Sequence, residues 1–397
     1  MFVKPSPPPR RRPIVESLII LPRQGEADIT AAVRKVTKAE YIEVRDWKEP
    51  RRAEDKRDPR KPYAVIYPRL RVALTNAPRE NLESAFGDDS VAPNFPVELP
   101  VPPVDLQQTV IAPTGPCEFD ETYDTWARQV LKGTGGQNGN GVKVCVVDTG
   151  LQCDHPDFAS RPLDDVHIQP FNPAEVIDDS YGHGTHCAGI ICGPPQPHKA
   201  PRYGIAPGVE LFVANVFGKA YETTVDTLID ALEWAIARGC HIVSMSLFKP
   251  VDPDDNQIMK FREVFVSALD QGTMLVACTG NMSDRANGSV VTARFPASIP
   301  EVLAVGGVTR CITMLNDSNS GGNVVAPGDY TWSSDHTAFG YTHLEGTSIA
   351  TAHAAGITAL HAQASGKRGR DLLSLVKQTA NTPLPPNYLD SGLVKPP

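Results

Sequence analysis

From residue 120 onward the chain alternates short apolar runs with helix-length runs, and few folds satisfy that constraint. Residues 142–147, 210–216, 241–246, 273–277, 302–305 and 324–326 are strand-sized and apolar almost throughout. Residues 223–238 carry an amphipathic helix pattern ended by Gly239, and further helices are expected over about 257–271 and 370–380. Strands without a polar face belong in a sheet covered on both sides. The pattern therefore predicts an α/β fold over residues 120–397, a mainly parallel sheet sandwiched by helices. In such sheets ligands collect at the carboxyl ends of the strands, which is where reactive side chains are to be sought.

The preceding hundred residues follow another plan. Residues 14–21, 41–45, 63–74 and 91–99 have strand patterns and residues 27–38 and 80–86 helical ones, giving a small α+β module of order βαββαβ over 14–99. Residues 1–13 read as a Pro- and Arg-rich tail, and 48–61 as a densely charged loop. A second Pro-rich stretch, 93–113, separates the module from the α/β region, and 100–119 is taken as the linker.

A formal net charge of -8 argues against a general nucleic-acid binder, and the basic cluster Arg10–Arg12 reads as a solvated tail. Neither a membrane span nor the apolar core of a secretory signal is visible, since residues 18–21 are too short to serve, so a cytoplasmic location is expected. Of eight cysteines, Cys145, Cys240 and Cys278 sit in or beside apolar runs and none forms a C-x-x-C pair. They are expected to be mostly reduced core thiols.

Residues 346–356 read GTSIATAHAAG. Gly346 allows backbone angles closed to other residues, and Thr347 and Ser348 are good N-cap types. The small and apolar residues up to Ala364 then read as a buried helix with Ser348 at its mouth. There a hydroxyl meets unpaired N–H groups at the positive end of a helix dipole, a setting that suits a nucleophile, although an isolated Gly-Thr-Ser is an ordinary cap. Asp148 ends the apolar run VKVCVV, a position equally suited to a metal or ribose contact. His183, in GHGTHCAG, opens a small-residue helix reaching Cys192, and it could share a metal with His186 and Cys187 at i+3 and i+4. Serine catalysis explains more of these residues together. Ser348 attacks, a neutral His183 takes its proton, and a buried Asp148 fixes the tautomer, in one of the known chain orders for such a triad.

These residues also resemble a known family. VVDTGLQCDHPDF, GHGTHCAG, GIAPGVEL, VSMSLF, ACTGN and GTSIATAHAAG occur in the order found in subtilisin-like (S8) serine proteases, over about residues 122–380, and HGTHC with Cys187 resembles the proteinase K branch. The resemblance implies that Asp148 is the orienting acid, His183 the general base and Ser348 the nucleophile. Asn281 would donate to the oxyanion beside the Ser348 N–H. Ser246, Leu247 and Phe248, with Gly280, would form the edge on which a peptide pairs as an added strand. Two residues depart from the family pattern: Ala352 stands where Pro is usual and Phe248 where Gly is usual. The Phe248 ring is expected to narrow the cleft and make cleavage selective. Asp157 matches a calcium ligand of the family, but residues 193–202 lack the oxygen donors to complete the site, so no metal is expected. Cys187, one turn beyond His183, can lie under the imidazole.

The function so implied is a serine endopeptidase acting through an acyl-enzyme, without cofactor, on peptide or protein substrates, as a monomer and by limited proteolysis. The resemblance also makes residues 14–99 a propeptide: an intramolecular chaperone and inhibitor whose residues 91–99 pair along Ser246–Phe248. It would deliver a bond between about Leu99 and Thr122 to Ser348. A permanent accessory domain is the alternative. For the whole chain the alternatives are a catalytically silent, peptide-binding pseudoprotease and an esterase. The latter usually brings G-x-S-x-G and the order Ser, Asp, His, both missing here.

Overall fold

The apolar runs of the sequence sort into two sheets of different construction. The computed structural model describes residues 18–20, 29–44, 61–99, 117–132, 135–162, 165–171, 178–217, 222–249, 255–337, 340–380 and 391–397. The expected tail, most of the charged loop and residues 100–116 of the linker lie outside the described residues. The N-terminal module comprises β1 (Leu18–Ile20), α1 (Ile29–Thr37), β2 (Tyr41–Val44), β3 (Tyr63–Tyr67), β4 (Val72–Thr75), α2 (Arg79–Phe86), β5 (Val91–Pro93) and β6 (Pro96–Glu98). Where the sequence suggested one strand over 63–74, the chain turns between residues 68 and 71 and forms the antiparallel pair β3 and β4. The closing stretch 91–99 also divides. Its first part, β5, completes a five-stranded sheet of order β2-β3-β4-β1-β5, while β6 leaves that sheet altogether.

The rest of the chain continues with α3 (Trp126–Val130), β7 (Lys143–Asp148), α4 (Pro156–Ala159), β8 (Val166–Pro170), α5 (His183–Cys192), β9 (Glu210–Asn215), β10 (Glu222–Thr224) and α6 (Val225–Ala237). There follow β11 (Ile242–Met245), α7 (Asp255–Lys260), α8 (Arg262–Asp270), β12 (Met274–Cys278), β13 (Leu303–Val308), β14 (Val324–Pro327), β15 (Thr331–Ser334) and β16 (Tyr341–Leu344). The chain closes with α9 (Thr347–Ser365), α10 (Gly369–Ala380) and β17 (Gly392–Leu393). Eight of these strands form one sheet of order β17-β14-β13-β12-β11-β7-β9-β8, every pairing parallel. Strand periodicity divides its side chains between two cores. Val144, Val146, Ile242, Met274 and Val276 pack with α5 and α9, while Cys145, Val147, Val243, Met245 and Leu275 pack on the side of α6 and α8. The order of strands reverses beside β7, so the crevice at the carboxyl ends of β7 and β11 is where such a sheet accepts ligands.

The module docks on the α6 and α8 side. Its strand β3 is buried along its whole length, and alternation explains how. Ala64 and Ile66 join Val33, Leu82 and Phe86 of the module's own helices, whereas Tyr63, Val65 and Tyr67 belong to the same core as Trp234 and Phe265. Glu233 of α6 is fully buried and receives the backbone N–H groups of Arg69 (3.1 Å) and Leu70 (3.0 Å) and the Arg69 guanidinium (3.1 Å). Burial raises the pKa of Glu233, and these donors oppose the rise. A disulfide, Cys117–Cys311, spans 194 residues and ties the segment before α3 to the loop after β13. Six of the eight cysteines stay unpaired, in line with the expectation of mostly reduced thiols. Cys145, Cys153, Cys187, Cys192, Cys240 and Cys278 are free. Among the described residues no helix is long and apolar enough to cross a membrane.

Candidate active site

Asp148 is the last residue of β7 and is completely buried. Its Oδ1 accepts the Thr149 N–H (2.8 Å), and both carboxylate oxygens face His183 Nδ1, at 2.8 and 3.0 Å. An acceptor pair on Nδ1 requires the proton there, which leaves Nε2 as the basic nitrogen. Burial by itself would lower the His183 pKa; the Asp148 carboxylate, with Cys187 adding to it, outweighs burial and holds the imidazole well above its ordinary range. His183 Nε2 and Ser348 Oγ are both buried, and neither has a hydrogen-bond partner among the described residues.

His183 stands where it does because the turn before α5 is over-determined. Asp179, buried, accepts from the N–H groups of Tyr181 (3.0 Å), Gly182 (2.8 Å) and Thr185 (2.9 Å) and from the Thr185 hydroxyl (2.7 Å). It satisfies donors at the start of the helix that have no carbonyl a turn before them. The sequence reading passed over Asp179. The signal was present in an Asp four residues ahead of the helix-opening His183.

α9 packs against α5 and carries Ser348 in its first turn. Ser246, just beyond β11, gives its hydroxyl to the Ser348 carbonyl (3.3 Å), and its Oγ lies 3.9 Å from Cys187 Sγ, itself 3.9 Å from His183 Nδ1. A continuous set of small buried contacts thus joins the His183 and Ser348 helices. Asn281 is oriented by Thr347, whose N–H (3.0 Å) and hydroxyl (2.7 Å) both donate to its Oδ1. Because a backbone N–H can only donate, that end of the amide is the oxygen, and the NH₂ end points elsewhere. It lies so close to Gly346 that a Cβ there would stand 2.7 Å from Nδ2, and Gly346 also has a φ of 126°. The glycine at the head of the serine helix is needed twice over, for its backbone angle and for the space Asn281 takes.

The structure therefore brings together Asp148 and His183 directly, and gathers Asn281, Ser246 and Ser348 around the mouth of α9. The metal alternative written on the α5 face does not assemble. His186 Nε2 is 3.1 Å from the Thr331 carbonyl, and burial together with His183 pushes its pKa down to about 3. The ligand-type atoms that converge are instead those of Asp148, His183 and Cys187, and Nδ1 is engaged by the carboxylate. Asp157 is buried with protein donors on both oxygens: the His198 N–H (2.7 Å) on one, and the Tyr203 and Tyr341 hydroxyls on the other. Burial and the Asp157 charge raise the Tyr203 pKa, which keeps that hydroxyl a donor.

Leu247 is fully buried and Phe248 is 7% exposed. On Phe248 lies the end of the N-terminal module. Glu98 and Phe248 exchange N–H···O bonds in both directions (2.8 and 2.9 Å), while the other edge of β6 pairs antiparallel with β10, Glu98 opposite Glu222 and Val97 opposite Thr223. The pairing expected along Ser246–Phe248 is thus present at Phe248, and the sequence reading missed β10 as its second rail.

The subtilase family model matches residues 139–392. The chain is 32% identical over 262 residues to Subtilisin Savinase of Lederbergia lenta, covering 65% of this chain and 90% of that protein. It is 32% identical over 273 residues to an intracellular serine protease of Paenibacillus polymyxa, covering 64% of this chain and 79% of that one. In architecture it is similar to a cold adapted subtilisin-like serine proteinase, with a TM-score of 0.55 at 24% identity over 68% of this chain and 96% of the other. With this sheet, this strand order and these matches, the chain belongs to the subtilase family and is a serine endopeptidase of subtilisin type.

Proposed function

We propose that the chain is a self-processed peptidase in which Asp148, His183 and Ser348 act as the triad and residues 14–99 inhibit the enzyme until cut away. The observation that carries the triad is the buried His183–Asp148 pair, with Nε2 and Ser348 Oγ both unpaired among the described residues. The Ser348 proton passes to Nε2 as Oγ attacks the peptide carbonyl, and the charge formed on the imidazole faces Asp148. The carbonyl oxygen, now anionic, takes hydrogen bonds from the Ser348 N–H and the Asn281 amide, an electrostatic contribution of about 3 kcal/mol per donor in subtilisin-type enzymes. Nε2 then returns its proton to the leaving amine. Water repeats the sequence on the acyl-enzyme, and the acid product leaves with Ser348 restored.

The inhibitory role of the module is supported by β6, which occupies the substrate edge at Phe248, and by the Glu233 contacts behind it. The processing bond falls in the stretch after Leu99, most of which lies outside the described residues. Cys187 beside His183 supports placement in the proteinase K branch. The family match gives no support to a silent, peptide-binding pseudoprotease. Expressed intact, the wild-type chain is expected to yield a smaller product that reacts with a fluorophosphonate probe at Ser348. Ser348→Ala should stay full length and unlabelled. A wild-type chain that remains uncut yet is fully active on peptides would remove the inhibitor role, and probe labelling of Ser348→Ala would remove the triad.

A further inference from the structure

We infer that Phe248 closes the pocket for the substrate side chain on the acyl side of the scissile bond, so that only small residues are accepted there. The inference rests on the proposed peptidase activity, and its starting point is the register of the strand already lying in the cleft. Glu98 and Phe248 form a reciprocally bonded antiparallel pair. In that register a peptide residue two positions further along stands opposite Ser246, whose hydroxyl reaches the Ser348 carbonyl, and its own carbonyl is the one offered to Ser348. Directly opposed residues of an antiparallel pair carry their side chains on the same face, and so do residues two apart along a strand. The acyl-side side chain and the Phe248 ring consequently project from one face of the strand pair.

Three segments bound that face. β11 and β12 are neighbours in register, Met245 beside Ala277, so the segments beyond them, 246–248 and 279–281, leave the sheet side by side. The third boundary is the segment around Arg294 and Phe295: the Arg294 N–H donates to the Thr279 carbonyl (3.1 Å), and the Lys249 N–H to the Phe295 carbonyl (3.0 Å). The Phe248 ring stands between these segments, toward Gly280. Its Cδ2 lies 3.7 Å from where a Cβ on Gly280 would stand, so the ring closes toward the side of Gly280 that the missing side chain leaves open. The Gly280 segment cannot retreat. Asn319, completely buried, backs Gly280 by donating to the Thr279 carbonyl (3.0 Å) and accepting the Met282 N–H (3.0 Å), and its own N–H bonds the Gly280 carbonyl (2.9 Å). A ring closing toward a braced segment leaves depth for a methyl-sized side chain and none for an aromatic one.

The test uses the processed wild-type enzyme, Phe248→Gly and Phe248→Ala, with two chromogenic peptides that differ only in having Ala or Phe before the scissile bond. Apolar pockets discriminate roughly 10–200-fold per methylene, so wild type should favour the Ala peptide by about 100-fold or more in kcat/KM. Either variant should move that ratio toward the Phe peptide by at least about tenfold. Fluorophosphonate labelling of Ser348 is measured in parallel. Wild type that cleaves the Phe peptide as fast as the Ala peptide would overturn the inference. So would an unmoved ratio in variants that still label at the wild-type rate. If wild type cleaves neither peptide and does not label, the peptidase activity itself is refuted, and the pocket assignment with it.

Discussion

The two sheets of this protein are both buried on two faces, and they reach that state by different means. The parallel sheet is covered by its own helices, α5 and α9 on one side and α6 and α8 on the other. Among the described residues, the five-stranded sheet of the module has helices for one face only. Its second face, with Tyr63, Val65, Tyr67, Val72 and Leu74, is completed by the surface of α6 and α8. The parallel sheet can therefore lose its neighbour and keep a closed core, whereas the module, once separated, must expose a row of large apolar side chains to water. Of the two parts, the one proposed to be discarded is the one whose core is unfinished.

That difference predicts a separation of effects. The largest belongs to the parallel-sheet body alone. Asp148→Asn should lower kcat of the module-free body by about 10⁴-fold without changing its fold, because the amide holds the wrong imidazole tautomer. The pH profile sharpens the assignment. His183 must be neutral to act as base, and Asp148 raises its pKa, so activity should climb with pH through a midpoint above the ordinary value of 6.5. In Asp148→Asn the raising charge is gone and burial dominates, so the midpoint of the residual activity should fall. A midpoint that does not move would show that another group governs the acid limb.

A smaller effect is expected in the module's own core. Ile66 packs with Val33, Leu82 and Phe86, and Ile66→Ala should cost about 2–5 kcal/mol, read by urea unfolding of the full-length Ser348→Ala chain. The transition of the parallel sheet should stay where it was. If both transitions shift together, the two sheets are one cooperative unit and the contrast between them is lost. The smallest effect lies at the seam. Glu233→Ala strands the N–H groups of Arg69 and Leu70, at about 1–3 kcal/mol, so a cleaved module should be held roughly 5- to 150-fold more weakly, as read by inhibition of peptide cleavage. Inhibition unchanged in that variant would mean that the apolar face alone holds the module.

Much of this architecture was legible in the residues alone. The strands of the parallel sheet, the helix opened by His183 and ended at Cys192, and the long helix behind Ser348 are local patterns of apolar period and chain-end chemistry, which a stretch of ten to twenty residues carries within itself. The residue types of the site were readable for the same reason. Asp148 ends a strand, and His183 and Ser348 begin helices, positions that punctuation residues mark in the sequence. The expectations that went astray failed either at a local turn or at a partner far along the chain. Residues 63–74 are apolar enough for one long strand, yet they fold back as a hairpin. Residues 91–99 divide because β6 finds its partners in β10 and Phe248, more than a hundred residues away.

The sequence by itself determined the fold class, the residue types at the candidate site and the order in which its parts arrive. Only the tertiary structure decided which of them meet. Nothing local says that Asp179 braces the His183 turn, that Tyr203 and Tyr341 hydroxyls occupy the Asp157 carboxylate, or that Cys117 joins Cys311 across 194 residues. Nor does the presence of Phe248 say where its ring lies; that depends on Gly280 having no side chain and on Asn319 holding it in place. The reason is physical. Periodicity, caps and strand ends are set by the backbone's own hydrogen bonding over one or two turns, whereas side-chain contacts between distant segments exist only once the sheet has brought those segments to the same edge.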